Sequence, residues 1–164
     1  MSRNAALFWP LALALVLTDC ATKRLAEAHL PPAHVPHDVL GDWVRFTLAY
    51  NPGAAFSMHV GPHSRWVFSV LTVAALALLG CLYRRAPVRD ARRVAALALV
   101  CGGAVGNLLD RLRSERGVVD FIDLGVGSVR FWTFNVADVG VSIGATLLAV
   151  VLWEDESQPA ADAS

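Results

Sequence analysis

Uncharged runs constrain this chain more than any other feature. Residues 66–83 carry no charged side chain over eighteen positions, and residues 94–109 carry none over sixteen. Residues 134–153 form a run of twenty with one charge, Asp138, near its start. At the N-terminus residues 5–18 are uncharged, and apolar positions resume around Asp19. A helix crossing the hydrocarbon core needs about 20 mostly apolar residues, with about 17 as the lower limit. Four spans fit, at about 5–23, 66–83, 94–110 and 134–153; the first and third require polar residues to enter the membrane at their ends. Composition agrees, with 55% hydrophobic and 17% charged residues, where a soluble domain has about a quarter charged. The expected class is an all-α membrane protein, and 164 residues make it a single integral-membrane domain, 1–164. Fourteen Lys and Arg balance fourteen Asp and Glu, so no basic excess points to nucleic acid.

Arg84, Arg85, Arg89, Arg92 and Arg93 crowd the loop between the second and third spans. The positive-inside rule places that loop in the cytoplasm, and with four spans both termini follow it. Two segments then face outward, about 24–65 and 111–133. Trp9, Tyr83 and Trp153 fall at inner ends and Trp66 and Trp132 near outer ends, as an interfacial belt requires. In the first outer segment, residues 44–50 alternate as a half-buried strand does, and Asn51-Pro52-Gly53 ends them with turn chemistry. A small extracytoplasmic β-sheet between helices 1 and 2, resting on the membrane surface, is expected. The last ten residues read as frayed. A cleaved signal peptide is the other reading of the first span, but Asp19 sits where a cleavage box needs a small uncharged residue, and three spans follow.

Cys20, Cys81 and Cys101 lie at different depths, too far apart for the 7 Å or so a disulfide needs. The five histidines, His29, His34, His37, His59 and His63, all fall in the first outer segment without metal-ligand spacing. No metal site and no cofactor is indicated.

Polar groups near a membrane span are costly and therefore informative. Asp19 and Lys23 are four apart on one helical face, the acid N-terminal to the base. Asn107, Asp110 and Arg111 share a face at the outer end of the third span. Asn135, Asp138 and Ser142 share one at the outer start of the fourth. Between them, Val118-Val119-Asp120-Phe121-Ile122-Asp123 sets carboxylates into an apolar stretch. Simpler readings exist for several of these: Asp19 with Lys23 as a snorkelling pair, Asp110 with Arg111 as a charge pair pinning a loop, and the GxxxG spacings around Gly102 and Gly140 as close helix packing. Asp120 and Asp138 resist such readings, because no basic residue follows Trp132 and Asp120 is flanked by Val119 and Phe121. Two acids in a dry site raise one pKa, the condition for a pair that shares a proton.

Five blocks carry a resemblance: Asp19 to Lys23, Asn51-Pro52-Gly53-Ala54-Ala55-Phe56-Ser57, residues 102–111, Val118 to Asp123, and Phe134-Asn135-Val136-Ala137-Asp138. In order and across most of the chain, they closely resemble lipoprotein signal peptidase, signal peptidase II. The resemblance implies a four-helix aspartic protease of the bacterial inner membrane, acting at the periplasmic face on prolipoproteins. It implies cleavage just before a diacylglyceryl-modified cysteine, with membrane lipid as surroundings, a monomeric enzyme and no cofactor. By motif match Asp120 and Asp138 are the catalytic dyad. Asn51, Gly53, Asn107, Asp110, Arg111, Asn135 and Ala137 match positions that support the dyad or shape the substrate groove, and Asp19 and Lys23 match structural ones. Asn51, Asn135 and Arg111 are candidates for fixing the peptide backbone. The departures, Cys20 and Ala21 within the first block and an acidic tail, do not touch the dyad.

Three other chemistries remain in view. Asp110, Asp120 and Asp123 loosely resemble the acidic motif of metal-dependent membrane phosphatidyltransferases. Ser57 with Lys23, the only lysine, would make a Ser/Lys peptidase pair if within hydrogen-bond reach. A small channel or transporter subunit would line an ion path with carboxylates, but would spread them through the depth of the spans.

Overall fold

The computed structural model describes residues 2–53, 61–87 and 90–157. Four long helices carry it: α1 (Arg3–His29), α2 (Ser64–Arg85), α3 (Ala91–Arg113) and α4 (Val136–Ser157). Each is long and apolar enough to cross a membrane. At about 1.5 Å per residue, the 22 residues of α2 reach about 33 Å, against a hydrocarbon core of about 30 Å. The helices outrun the expected spans because polar turns continue them, α1 by more than a turn beyond Lys23.

Most helical side chains face outward and are apolar, as a lipid solvent demands. In α2 only Ser64 and Ser69 are buried. Hydroxyls in the spans bond back to carbonyls one turn earlier: Ser69 Oγ to Arg65 O at 2.7 Å, Thr72 Oγ1 to Phe68 O at 2.7 Å and Thr146 Oγ1 to Ser142 O at 2.8 Å. That satisfies them where no water reaches.

α3 is the central helix, packing on α1, α2 and α4, while α2 and α4 barely touch each other. Its glycines explain the closeness. A Cβ on Gly103 would stand 2.4 Å from Ala137 O of α4, and one on Gly102 would stand 2.9 Å from Ala12 O of α1. The GxxxG spacings are therefore packing surfaces, as expected. An apolar cluster of Phe8, Ala12, Val94, Leu97, Ala98 and Cys101 fills the bundle toward the end where the chain begins. There Arg92 pairs with Glu154 at 2.8 Å, and Arg93 pairs with Asp155. Of the last ten residues, expected to fray, 155–157 instead continue α4 beside these pairs, and 158–164 lie outside the described residues.

The expected sheet is present between α1 and α2 and is larger than the alternation at residues 44–50 implied. Strands β1 (Pro36–Leu40) and β2 (Val44–Asn51) are joined by β3 (Val118–Val126) and β4 (Val129–Arg130) from the α3–α4 connection. All pair antiparallel in the order β1-β2-β3-β4. Residues 118–126 concealed themselves as a strand because Val118, Val119, Asp120 and Phe121 are all buried, so no alternation survives. Arg130 clamps the two hairpins, binding Asp123 Oδ1 at 2.9 Å and Asp42 O at 2.5 Å. A second apolar cluster, Ala26, Leu30, Leu48, Val119 and Phe121, seats the sheet on α1. Along α1, the polar pair Asp19 and Lys23 falls between these two clusters.

Candidate active site

The start of α4 is built by a reciprocal cap. Asn135 Oδ1 accepts the backbone N–H of Asp138 at 3.0 Å, and Asp138 Oδ2 accepts that of Asn135 at 3.2 Å. This is the logic of a capping box, satisfying N–H groups that a helix start otherwise leaves orphaned. A third donor, Ala137 N, goes to Asp19 Oδ1 of α1 at 2.9 Å. Ala137 is fully buried against α3, so its small side chain and exact register hold Asp138 in place.

Behind the cap lies a buried hub. Lys23, 1% exposed, forms ion pairs with Asp19 Oδ2 at 2.8 Å and Asp110 Oδ2 at 2.9 Å and donates a hydrogen bond to Asn107 Oδ1 at 2.8 Å. An ammonium only donates, and here three oxygens crowd around it. Asn107 passes the network on, donating from Nδ2 to Asp138 Oδ1 at 2.8 Å. Asp110 Oδ2 also takes Val119 N at 3.2 Å, which anchors β3 to α3.

Asp120, 4% exposed, comes in on β3. Its Oδ1 receives Asn135 Nδ2 at 2.7 Å, and the Asn51 side chain from the end of β2 also hydrogen-bonds it. Asn51 Oδ1 in turn accepts Gly53 N at 2.9 Å, closing the turn, and Arg111 donates to Gly53 O at 2.8 Å. Burial first, then the neighbouring Asp138 charge, push the Asp120 carboxyl up to about 7. The hydrogen bonds from Asn135 and Asn51 and the charge of Lys23 act in the opposite sense. Asp19, Asp110, Asp120 and Asp138 outnumber the cations Lys23 and Arg111, so a proton on one acid relieves the excess. Asp120 and Asp138 line one cavity of about 430 Å³, whose far walls are Phe68, Leu71 and Thr72 of α2 and Val141 of α4.

Two carboxylates lining one cavity can divide acid and base roles, and known relatives identify the family. The family described as signal peptidase (SPase) II matches residues 11–154. The chain belongs to the signal peptidase II family. Curated lipoprotein signal peptidases resemble it closely: that of Hydrogenovibrio crunogenus is 40% identical over 85% of this chain and 81% of its own. That of Teredinibacter turnerae is 40% identical over 92% of this chain and 88% of its own. A solved structure described as a bacterial membrane enzyme, determined by the in meso method at 2.3 Å, superposes with a TM-score of 0.77 at 29% identity, covering 90% of this chain and 87% of that one.

The candidate site residues meet in one network, with corrections in detail. Asp110 does not pair with Arg111; it pairs with Lys23, because Arg111 turns to Gly53 O and Asn107 O. Asp19 and Lys23 are not a snorkelling pair at a helix end, since both are buried. Asn51 and Asn135 spend amide donors on Asp120. Asp123 stays outside the site, held by Thr47 and Arg130. Sequence reasoning did not single out the cavity wall from α2 or Phe131 and Trp132; only their place near span ends hinted at it. Ala54 to Ser57 of the second block lie outside the described residues.

Proposed function

We propose that this chain is an aspartic endopeptidase that removes signal peptides from bacterial prolipoproteins, cutting just before the diacylglyceryl-modified cysteine. One integral-membrane domain, 1–164, works as a monomer in the inner membrane, with both termini cytoplasmic and the site at the periplasmic face. The positive loop supports that orientation, since Arg84, Arg85, Arg92 and Arg93 lie at the end of the bundle opposite the sheet. A reporter fused after Arg89, a residue outside the described ones, is expected to read cytoplasmic.

The observation that carries the reaction is the unequal pair. Asp120, raised to about 7 by burial and the Asp138 charge, is the acid, and Asp138, which accepts N–H groups from Asn107 and Asn135, is the base. Asp138 takes a proton from water as the water attacks the scissile carbonyl, while Asp120 donates toward the carbonyl oxygen. The apparent pKa values belong to the pair. Breakdown of the tetrahedral species returns a proton to the leaving amine. No metal or cofactor is needed for these steps. Arg111 lines the cavity, and its Nε is buried without a hydrogen-bond partner among the described residues, which suits it to a peptide carbonyl of the substrate.

α2 and α4 pack on α3 and hardly on each other, and both line the cavity, a layout suited to entry from the bilayer. A signal peptide can slide in from the bilayer with its acyl chains still immersed, each buried CH₂ contributing about 0.8 kcal/mol. The rival chemistries fit less well. Asp110, Asp120 and Asp123 have separate partners in Lys23, Asn135 and Arg130, not a common focus for a metal ion. Ser57 lies outside the described residues, and the Lys23 ammonium is saturated. The deciding experiment is cleavage of a diacylglyceryl-cysteine peptide by the purified protein and by Asp120→Asn and Asp138→Asn. Both variants are expected to accumulate in membranes and to lose turnover; retained turnover in either refutes the dyad.

A further inference from the structure

We propose, building on the dyad assignment above, that Lys23 is a positioning residue for the reaction: its ammonium fixes the Asn107 amide so that an N–H, and not a carbonyl, faces Asp138. An ion pair within α1 needs only Asp19, and a second carboxylate, Asp110, already neutralises the ammonium beyond parity. The third bond, Lys23 Nζ to Asn107 Oδ1 at 2.8 Å, has no role in charge balance. Its effect is directional. An ammonium only donates, so the atom of Asn107 that faces it must be the oxygen. Asn135 Nδ2 donates to that same oxygen at 3.1 Å. Nδ2 of Asn107 is then obliged to face Asp138 Oδ1, at 2.8 Å. A flipped amide would set donor against donor at Lys23 and acceptor against acceptor at Asp138.

The same device appears on the other acid. The backbone N–H of Asp138 takes Asn135 Oδ1, leaving Asn135 Nδ2 for Asp120. Each carboxyl thus has one amide whose orientation is dictated by a group that cannot accept. For Asp138 the dictating group is Lys23, one residue removed. Without it the Asn107 oxygen keeps one donor, Asn135 Nδ2, so the amide can turn and present its carbonyl to Asp138, which disfavours the ionised carboxylate. A protonated Asp138 is no base.

Other charged groups also surround Asp138: Asp120 from β3 and Arg111 from α3 act on it directly, and Asp110 from α3 and Asp19 and Lys23 from α1 stand behind Asn107. α2 contributes Phe68, Leu71, Thr72 and Ala75 to the cavity, none of them titratable. A test must therefore hold the net charge constant. The double variant Asp19→Asn/Lys23→Met does so, removing one negative and one positive charge, and the amide at position 19 still accepts Ala137 N. Initial rates on a diacylglyceryl-cysteine peptide, taken from pH 5 to 9, give kcat and KM separately.

The expected result is a kcat lowered roughly tenfold near neutral pH, with the acidic limb moved up by about one pH unit and KM little changed. Asn107→Ala is expected to do the same, and combining it with the double variant to add nothing further, since both act on one contact. A wild-type pH profile in the double variant overturns the proposal, and so does full additivity with Asn107→Ala. Failure of the dyad itself looks different: Asp120→Asn or Asp138→Asn would keep turnover. Should the double variant not accumulate, NMR of the wild-type protein decides. One Asn107 side-chain amide proton, slowly exchanging and fixed through the titration of the acids, supports the orientation lock; an averaged, freely turning amide overturns it.

Discussion

Replacing Asp120 with asparagine is expected to end turnover and, at pH 8, to make the protein harder to unfold. In the folded chain the Asp120 carboxyl titrates at about 7 against an ordinary 3.8. Its folded value is raised, so whatever it contributes to stability is complete below pH 3.8 and is lost as pH climbs through 7. Between those values the unfolded chain gives up the proton and the folded one keeps it, and stability falls steadily. A gap of about 3 pH units at about 1.4 kcal/mol each makes the full penalty about 4 kcal/mol at pH 8. An amide escapes it, and its oxygen can still accept Asn135 Nδ2. At about 2–4 °C per kcal/mol for a chain of this size, the midpoint should rise on the order of 10 °C. Tryptophan fluorescence during heating in detergent, from pH 4 to pH 8, reads this directly. The gain should shrink steadily toward pH 4. A variant no more stable than wild type at pH 8, or a gain independent of pH, would show that Asp120 is not held protonated by its surroundings.

Gly103→Val drives a side chain into Ala137 O, from which even a Cβ would stand only 2.4 Å, so little protein is expected in membranes. Gly80→Ala, with nothing within 4 Å of the added carbon, should accumulate normally; western blots of membrane fractions compare the two. Asn135→Ala removes a helix cap worth about 1 kcal/mol and a hydrogen bond that lowers the Asp120 pKa. Its midpoint should drop by a few degrees and the alkaline limb of its residual activity should move to higher pH. Treatment of the purified enzyme with EDTA should leave cleavage rates unchanged; a loss restored by added magnesium would favour the phosphatidyltransferase chemistry instead.

Much of this was legible because a bilayer makes sequence unusually candid. Charge-free runs reported four helices, and a polar side chain next to such a run had to have a partner. Asp19 with Lys23 and Asn135 with Asp138 could be paired by helical spacing, since both partners lie on one element. What spacing cannot report is a contact between elements. Nothing in the order of residues tells that Lys23 reaches Asn107, or that Arg111 passes over its neighbour Asp110 to take Gly53 O. The strand at residues 118–126 escaped for a related reason. Burial of its first four residues on both faces erases the alternation that betrays a half-exposed strand. The α2 wall escaped too, because Phe68 and Leu71 read as lipid-facing until the gap beside α4 is seen.

Asp138 holds two offices at once. The oxygen that ties down the start of α4 belongs to the carboxylate proposed to accept a proton from water. In the proposed reaction each cycle weakens, for an instant, one of the ties that start the final helix, and strengthens it again when the proton leaves. Chemistry and architecture share a single group here. A molecule that kept Asp138 protonated would do more than occupy a cleft: it would hold the enzyme with one tie of that helix start loosened.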